Sequence, residues 1–269
     1  MLRIIADSTC DISKEDARKM GIQIVPISVR FGDEEFLDGV EITHEEFYTR
    51  LAECDELPKT SQPSPDTFMK VFNEAVAAGD DVLGIFISSD LSGTYQSACL
   101  AALDVEEETR KKLYMVDSRS ASIGTALLIR EAVKLRDAGV NVSDIAAACT
   151  EMSKYIKLTA VVGSLKYLKM GGRLSGAAAF AGTMLHITPV VSIEDGKVVV
   201  IGKTRGKKAA EKLMHDKLIK DGLSLTRDFM FGHINCSESL ETFINKSLTY
   251  ISDVNGNVGV SSIGCSVGT

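Results

Sequence analysis

The sequence reads as an α/β protein of two domains: a mostly parallel βαβ domain over residues 1–156, and a mixed or antiparallel α/β domain over residues 157–269. Three observations predict it. Short apolar runs alternate with amphipathic helical stretches through the first 156 residues, the pattern of a parallel sheet built from βαβ units. Beyond that point the texture changes. Ile187 to Ile193 and Lys197 to Lys203 are strand-like runs joined by Glu194-Asp195-Gly196, a hairpin signal. Finally, 269 residues allow one large domain or two of moderate size. A cleft between two apposed domains is a natural place for a ligand.

In chain order, Leu2 to Ala6 reads as a buried strand ending at Asp7-Ser8-Thr9. Asp11 or Ser13 can cap a helix through about Met20, which Gly21 ends. Ile22 to Phe31 is strand-like but contains Pro26, which predicts a sheet edge or a strand that changes partners. Gly32-Asp33-Glu34-Glu35 is a hairpin-like turn. Thr43 and Glu46 form a capping box for a helix through about Cys54. Pro58, Pro63 and Pro65 force the next segment to stay extended, giving a stiff loop that carries Thr60, Ser61 and Ser64. A helix from Asp66 to Ala78 follows, then a buried strand over Val82 to Ile87. Leu113 to Val116 is a further strand, ending in Asp117-Ser118 as the first ends in Asp7-Ser8. Such polar strand ends either gather on one rim or simply open helices. Helices are expected over Ser122 to Ala138 and, capped by Ser143, over Val142 to Tyr155.

Past residue 156, Leu158 to Val162 reads as a strand and Leu165 to Arg173 as a short helix with a glycine cap. Ala177 to Leu185 is small and apolar, a closely packed helix. After the hairpin, Gly206 to Lys220 and Ser237 to Thr249 read as helices. Asp228 to Ile234 and Gly259 to Ser266 read as strands.

Composition narrows the function. A net charge of −7 argues against general nucleic-acid binding, which needs a basic surface. The six cysteines are scattered with no C-x-x-C pair, so spacing supports neither a zinc site nor a redox pair, and free thiols fit a reducing cytoplasm. No secretory signal pattern and no membrane-spanning apolar run is present. His44, His186, His215 and His233 have no His or Cys close in sequence, so no metal is expected. Phosphate-binding glycine motifs are absent. Gly264-Cys265-Ser266-Val267-Gly268 fits the hydrolase nucleophile pattern, but the acid and His that should follow it in sequence do not.

The stretch Ile87 to Ala98 carries the most chemistry. A buried strand ends in Ser88-Ser89-Asp90-Leu91-Ser92-Gly93-Thr94, after which Tyr95, Ala98, Ala101 and Ala102 fall at helical spacing. Strand, polar turn and helix together place unpaired N–H groups at the carboxyl end of a strand, a site for a small anion held by neutral donors. The alternative is a plain helix cap by Ser92 or Thr94. Arg173, after Gly171-Gly172, suits either an anion or the negative end of its own helix. Lys203, Arg205, Lys207 and Lys208 form a basic cluster that is either a solvated face or a seat for an acidic partner.

Read together, the order of motifs is distinctive. Ile5-Ala6-Asp7-Ser8-Thr9-Cys10-Asp11 is followed by Lys59-Thr60-Ser61-Gln62-Pro63-Ser64 and by Ser88-Ser89-Asp90-Leu91-Ser92-Gly93-Thr94-Tyr95-Gln96. Then come Val116-Asp117-Ser118, Leu165 to Arg173 and Lys203-Thr204-Arg205-Gly206. This string resembles the DegV family of bacterial fatty-acid-binding proteins over nearly the whole chain. The resemblance implies one long-chain fatty acid held in a tunnel between two α/β domains. It implies that Thr60 and Ser92 hold the carboxylate; Ser61, Gly93, Thr94 and Arg173 are expected to line the same site. No catalytic residue, metal or cofactor is expected. In some members a separate fatty acid kinase phosphorylates the presented acid for phospholipid synthesis, so a kinase partner is implied here too.

The physics agrees with that implication. Hydroxyl and N–H donors can hold a carboxylate without a cation. A tail of ~14–16 methylenes contributes about 11–13 kcal/mol gross at ~0.8 kcal/mol each, less ordering and association costs. Ala177 to Leu185 would wall the tunnel or pack in the core. Family members usually carry a His and a Gly-Pro-Gly run after a segment like Ile263 to Thr269; this sequence lacks it and is expected to be shorter than the family at that end. Two other readings stay open: a hydrolase or acyltransferase using Ser88 or Ser92, and a binder of a small phosphate.

Overall fold

Ile4, Ile5 and Ala6 are all fully buried, and a strand buried on both faces belongs at the centre of a parallel sheet. A computed structural model, which describes residues 1–54, 56–175, 187–222, 224, 226–249 and 256–268, places it there. The chain runs β1 (Leu2–Asp7), α1 (Lys14–Met20), β2 (Ile22–Val25), β3 (Ser28–Phe31), β4 (Glu34–Leu37), α2 (His44–Glu53), β5 (Lys59–Ser61) and α3 (Pro65–Ala77). It continues through β6 (Asp81–Phe86), α4 (Thr94–Thr109), β7 (Tyr114–Asp117), α5 (Ser122–Asp137), α6 (Val142–Ser153), β8 (Leu158–Val161) and α7 (Lys166–Met170). Then follow β9 (Ile187–Glu194), β10 (Lys197–Arg205), α8 (Lys207–Asp221), β11 (Phe229–His233), α9 (Ser237–Leu248), β12 (Val258–Ser262) and α10 (Cys265–Gly268).

The expected α/β class holds. Strands β2-β1-β6-β7 form a parallel sheet in that order. Alternate side chains serve opposite faces. Ile4, Ala6, Leu83 and Ile85 pack with Leu128 and Ile129 of α5 and Ile145 of α6. Ile5, Val82 and Phe86 pack with Phe68 and Phe72 of α3 and Ala98 and Ala101 of α4. Helices therefore cover both faces. The strand order reverses between β1 and β6, so the crevice beyond their carboxyl ends is where such a sheet offers a ligand site.

Pro26 breaks the second strand as its sequence suggested. Residues before it pair with β1, and those after it leave for a small antiparallel sheet ordered β4-β3-β5. The segment expected as a rigid loop thus supplies a third strand, with Thr60 opposite Val29. The capping box at Thr43 and Glu46 is present, and Ser13 and Gly21 bound α1 as expected. The cap of α6 is Asn141, whose Oδ1 accepts from Asp144 N at 3.0 Å; Ser143 only donates to that same oxygen.

In the second half, β10-β9-β8 form an antiparallel sheet. Asp195 and Gly196 make its two-residue turn, with φ of 49° and 82°. Positive φ at both positions is the twist that joins tightly paired strands. Helix α8 packs on one face of this sheet through Ala210 and Met214 against Val190. Strands β11 and β12 pair in parallel. The strand expected over Gly259 to Ser266 stops at Ser262, and Cys265 opens α10 instead. The segment Ala177 to Leu185 lies outside the described residues.

The two halves meet at the carboxyl rim of the parallel sheet. Ile87, Leu91 and Ala121 pack there with Leu174, Val191, Ile193 and Val198, and Leu165 and Leu168 join the same cluster. The last described residues return to the first half: Gly264 N donates to Asp11 Oδ1 at 2.7 Å, and Cys265 packs with Val29, Ile42 and Phe47.

Candidate functional site

Strand β6 delivers Ile87 and Ser88 to this rim. The polar ends of β1 and β7 gather around them. Asp7 Oδ1 accepts from Thr9 N at 2.9 Å, and its Oδ2 accepts from Ile87 N at 2.9 Å. Asp117 accepts from Arg119 N at 2.8 Å and from Ser89 N at 3.3 Å. Both aspartates thus tie a strand end to the next loop. Burial pushes the Asp7 carboxyl up, against hydrogen bonds that lower it. The Asp11 carboxyl is pushed up to about 8, chiefly by burial. Protonation at either position lowers the negative charge on the rim.

The loop after Ser88 is tightly wound. Leu91 N and Ser92 N both donate to Ser88 O, at 3.0 and 3.1 Å. The buried Ser88 hydroxyl donates to Gly196 O at 2.8 Å, so the β9–β10 turn is seated on this loop. Lys197 pairs with Asp90 at 3.4 Å and Arg119 with Asp195 at 3.0 Å around the same contact. A side chain at Gly196 would put its Cβ 2.6 Å from Ser88 Oγ.

Helix α4 starts without an ordinary side-chain cap. Its cap residue is Gly93. Ser92 Oγ lies 2.9 Å from Thr94 Oγ1 and accepts from Thr94 N at 3.3 Å. Among the described residues, nothing accepts from Tyr95 N or Gln96 N. The cap position thus belongs to Gly93 and not to Ser92 or Thr94; Ser92 Oγ takes only the Thr94 N–H, and the next two N–H groups have no protein acceptor among the described residues. Burial and a hydrogen bond with Cys99 push the Tyr95 hydroxyl up to about 12, so this side chain carries no charge near neutral pH.

Gln62 brings the proline-rich segment to this helix. Its Nε2 donates to Ser97 Oγ at 2.8 Å. Its Oε1 lies where a side chain at Gly93 would be, 2.1 Å from the ideal Cβ position. Thr60, half-buried, and Ser61, exposed, lie on β5 just before Gln62. Neither hydroxyl has a hydrogen bond among the described residues. Arg173 also reaches the loop. Its Nε donates to Leu91 O at 3.3 Å and its NH1 to Gly171 O at 2.6 Å. The guanidinium therefore donates to a carbonyl at its own helix end, as one of the two sequence readings had it, and also tethers the Ser92 loop. Gln62 is the residue that sequence reasoning missed, although it stands inside a quoted motif.

Other features are less suited to a carboxylate with a long tail. A groove of about 260 Å³ opens under the β9–β10 turn, but Arg119, Lys154, Lys157, Glu194, Asp195 and Lys217 line most of it. Lys203, Arg205, Lys207 and Lys208 are exposed. Among the described residues, no His or carboxylate is hydrogen-bonded to the hydroxyl of Ser88 or Ser92. None of the six cysteines forms a disulfide. No described helix is long and apolar enough to cross a membrane.

Comparison with known proteins follows the same lines. A family profile described as "Uncharacterised protein, DegV family" matches residues 1–269. A DegV domain-containing protein of Caldanaerobacter subterraneus is 32% identical over 269 residues, covering 100% of this chain and 94% of that one. The solved structure of a DegV family protein from Thermus thermophilus, described by its fatty acid binding, superposes with a TM-score of 0.86 at 28% identity. That match covers 99% of this chain and 94% of the other. A stearic acid-binding protein from Eubacterium ventriosum gives a TM-score of 0.84 at 30% identity, covering 94% of this chain and 88% of its own.

Proposed function

This chain belongs to the DegV family, and from that premise we propose that it binds one long-chain fatty acid as a carrier and not as a catalyst. The carboxylate sits between Thr60 with Ser61 on β5 and Ser92, Gly93 and Thr94 at the start of α4, with Arg173 at its edge. The acyl tail runs between the two domains, 1–156 and 157–269, by way of the buried apolar cluster around Ile87, Leu91, Leu168 and Val191. The observation that carries this reading is the Gln62 bridge, which docks the strand bearing Thr60 on the helix that opens with Thr94. A buried apolar cluster lies on the other side of the same loop.

Neutral donors suit the role. A carboxylate held by hydroxyl and N–H groups stays open to a second protein, whereas an enclosing cation cluster would bury it. We propose that this second protein is a fatty acid kinase that phosphorylates the presented acid for phospholipid synthesis, which places the carrier in the cytoplasm. Among the described residues no His or carboxylate is hydrogen-bonded to the hydroxyl of Ser88 or Ser92, which weighs against the hydrolase reading. The apolar cluster weighs against a small phosphate ligand.

The test is the variant Thr60→Ala/Ser92→Ala, titrated with stearic acid against a fluorescent fatty acid. The account expects binding at least tenfold weaker than for the unsubstituted protein, about 1.4 kcal/mol. Equal affinities would remove the carboxylate assignment. No binding by either protein would remove the lipid reading itself.

A further inference from the structure

Away from the lipid site, three side chains from distant parts of the sequence converge: Asp38 just after β4, His44 at the start of α2 and Cys265 at the start of α10. One ligand atom from each, a carboxylate oxygen, an imidazole nitrogen and the thiol sulfur, lies within 4.8 Å of the other two. Asp38 and Cys265 are buried and His44 is half-buried. We propose that this cluster is a metal site and that Zn²⁺ is the ion it takes.

The donor set suits zinc, which accepts oxygen, nitrogen and sulfur together in tetrahedral geometry. Bonds of about 2.0–2.3 Å put tetrahedral ligand atoms roughly 3.3–3.7 Å apart. Closing the cluster from separations of at most 4.8 Å needs about 1.5 Å of movement or less, within reach of a half-buried His44 on the first turn of α2. Three protein ligands leave a fourth position for water.

The surroundings already hold two of the ligands in place. Ser8 Oγ donates to Asp38 Oδ2 at 3.0 Å and orients that carboxylate. The backbone entering Cys265 is held twice, by Gly264 N donating to Asp11 Oδ1 at 2.7 Å and by Tyr48 OH donating to Ile263 O at 3.1 Å. Asp11 borders the cluster through that same contact. Its Oδ1 and His44 Nε2 lie 2.8 and 2.9 Å from where a Cβ on Gly264 would stand, so the glycine keeps both groups close to the cluster. Among the described residues, Asp11 forms no ion pair.

Sequence spacing hides the site because its third ligand comes from the other end of the chain. A bound ion would clip the segment Ile263 to Cys265 to the first half of the molecule. Cys265 packs against Val29, and Val29 pairs with Thr60, so the clip would also brace the strand that carries Thr60.

The reduced, chelator-treated full chain is titrated first with Co²⁺ and then with Zn²⁺. The proposal expects one equivalent of Co²⁺, a thiolate-to-cobalt charge-transfer absorption, and its loss on adding Zn²⁺. Cys265→Ser should abolish that absorption. His44→Gln, a milder change at a half-buried position, should weaken Co²⁺ binding at least tenfold with the thermal melt of the metal-free protein preserved. Failure of the unsubstituted protein to bind either ion saturably overturns the proposal. So does an absorption that survives in Cys265→Ser, or His44→Gln and Asp38→Asn both binding as tightly as the original. No step involves fatty acid, so the result stands apart from the lipid reading.

Discussion

Gln62 joins two segments that a reader of the sequence meets 35 residues apart. Its amide nitrogen is bonded to Ser97 Oγ, and its oxygen fills the space left by Gly93. Gly93→Ala would push that oxygen away. Because it ends a flexible side chain, the fold should lose about 1 kcal/mol or less. Fatty acid binding should weaken several-fold, since the Thr60 strand loses its anchor. A thermal melt beside a stearic acid titration checks both halves; unchanged binding would show that the bridge has no part in the site. Thr60 and Ser92 could be named from their motifs, and Gly93 and Thr94 from the start of a helix. Gln62 could not be given its role, because its partner is distant in sequence and a lone glutamine carries no periodic signal. Asp38, His44 and Cys265 were hidden for the same reason.

At the scale of elements, local chemistry was legible and pairing was not. The capping box at Thr43, the glycine stop at Gly21 and the turn at Asp195-Gly196 are written in neighbouring residues. Pro26 announced that its strand would change partners. Nothing local announced that Lys59–Ser61 would pair with β3, that β11 and β12 would lie parallel, or that α10 would replace the end of a strand. Two predictions belong here. Gly196→Ala combines a φ of 82° with a Cβ 2.6 Å from Ser88 Oγ, so it should destabilise the protein by about 1–3 kcal/mol. An unchanged denaturation midpoint would mean that the hairpin is not seated on the Ser88 loop.

The second concerns Asp80, which precedes β6 and accepts from the Met1 ammonium at 3.0 Å and from Arg3 NH2 at 2.6 Å. Those two bonds, the ammonium first, hold its carboxyl below the ordinary range. Its stabilising effect is therefore complete above the unfolded carboxylate value near pH 4 and is lost as pH falls through the lower folded value. Asp80→Asn should cost about 1 kcal/mol at neutral pH and close to nothing at about pH 2. Paired urea denaturations at the two pH values measure it. A deficit that stays constant with pH would contradict the charge argument.

Across the whole molecule, the parallel sheet presents its carboxyl rim to an antiparallel sheet, and an apolar cluster lies where they meet. Alternation of strands and helices made the first part of this legible, and one hairpin signal the second. How the halves close on each other depends on Ser88, Asp90 and Arg119 meeting the far hairpin, contacts that no window of sequence contains. The proposed function turns on what that closure encloses. The direct measurement is lipid extraction from freshly purified protein, followed by mass spectrometry of the acid fraction against the protein concentration. The account predicts close to one long-chain fatty acid per chain, released on denaturation. Protein that carries none, and that takes up none when stearic acid is added, would contradict it.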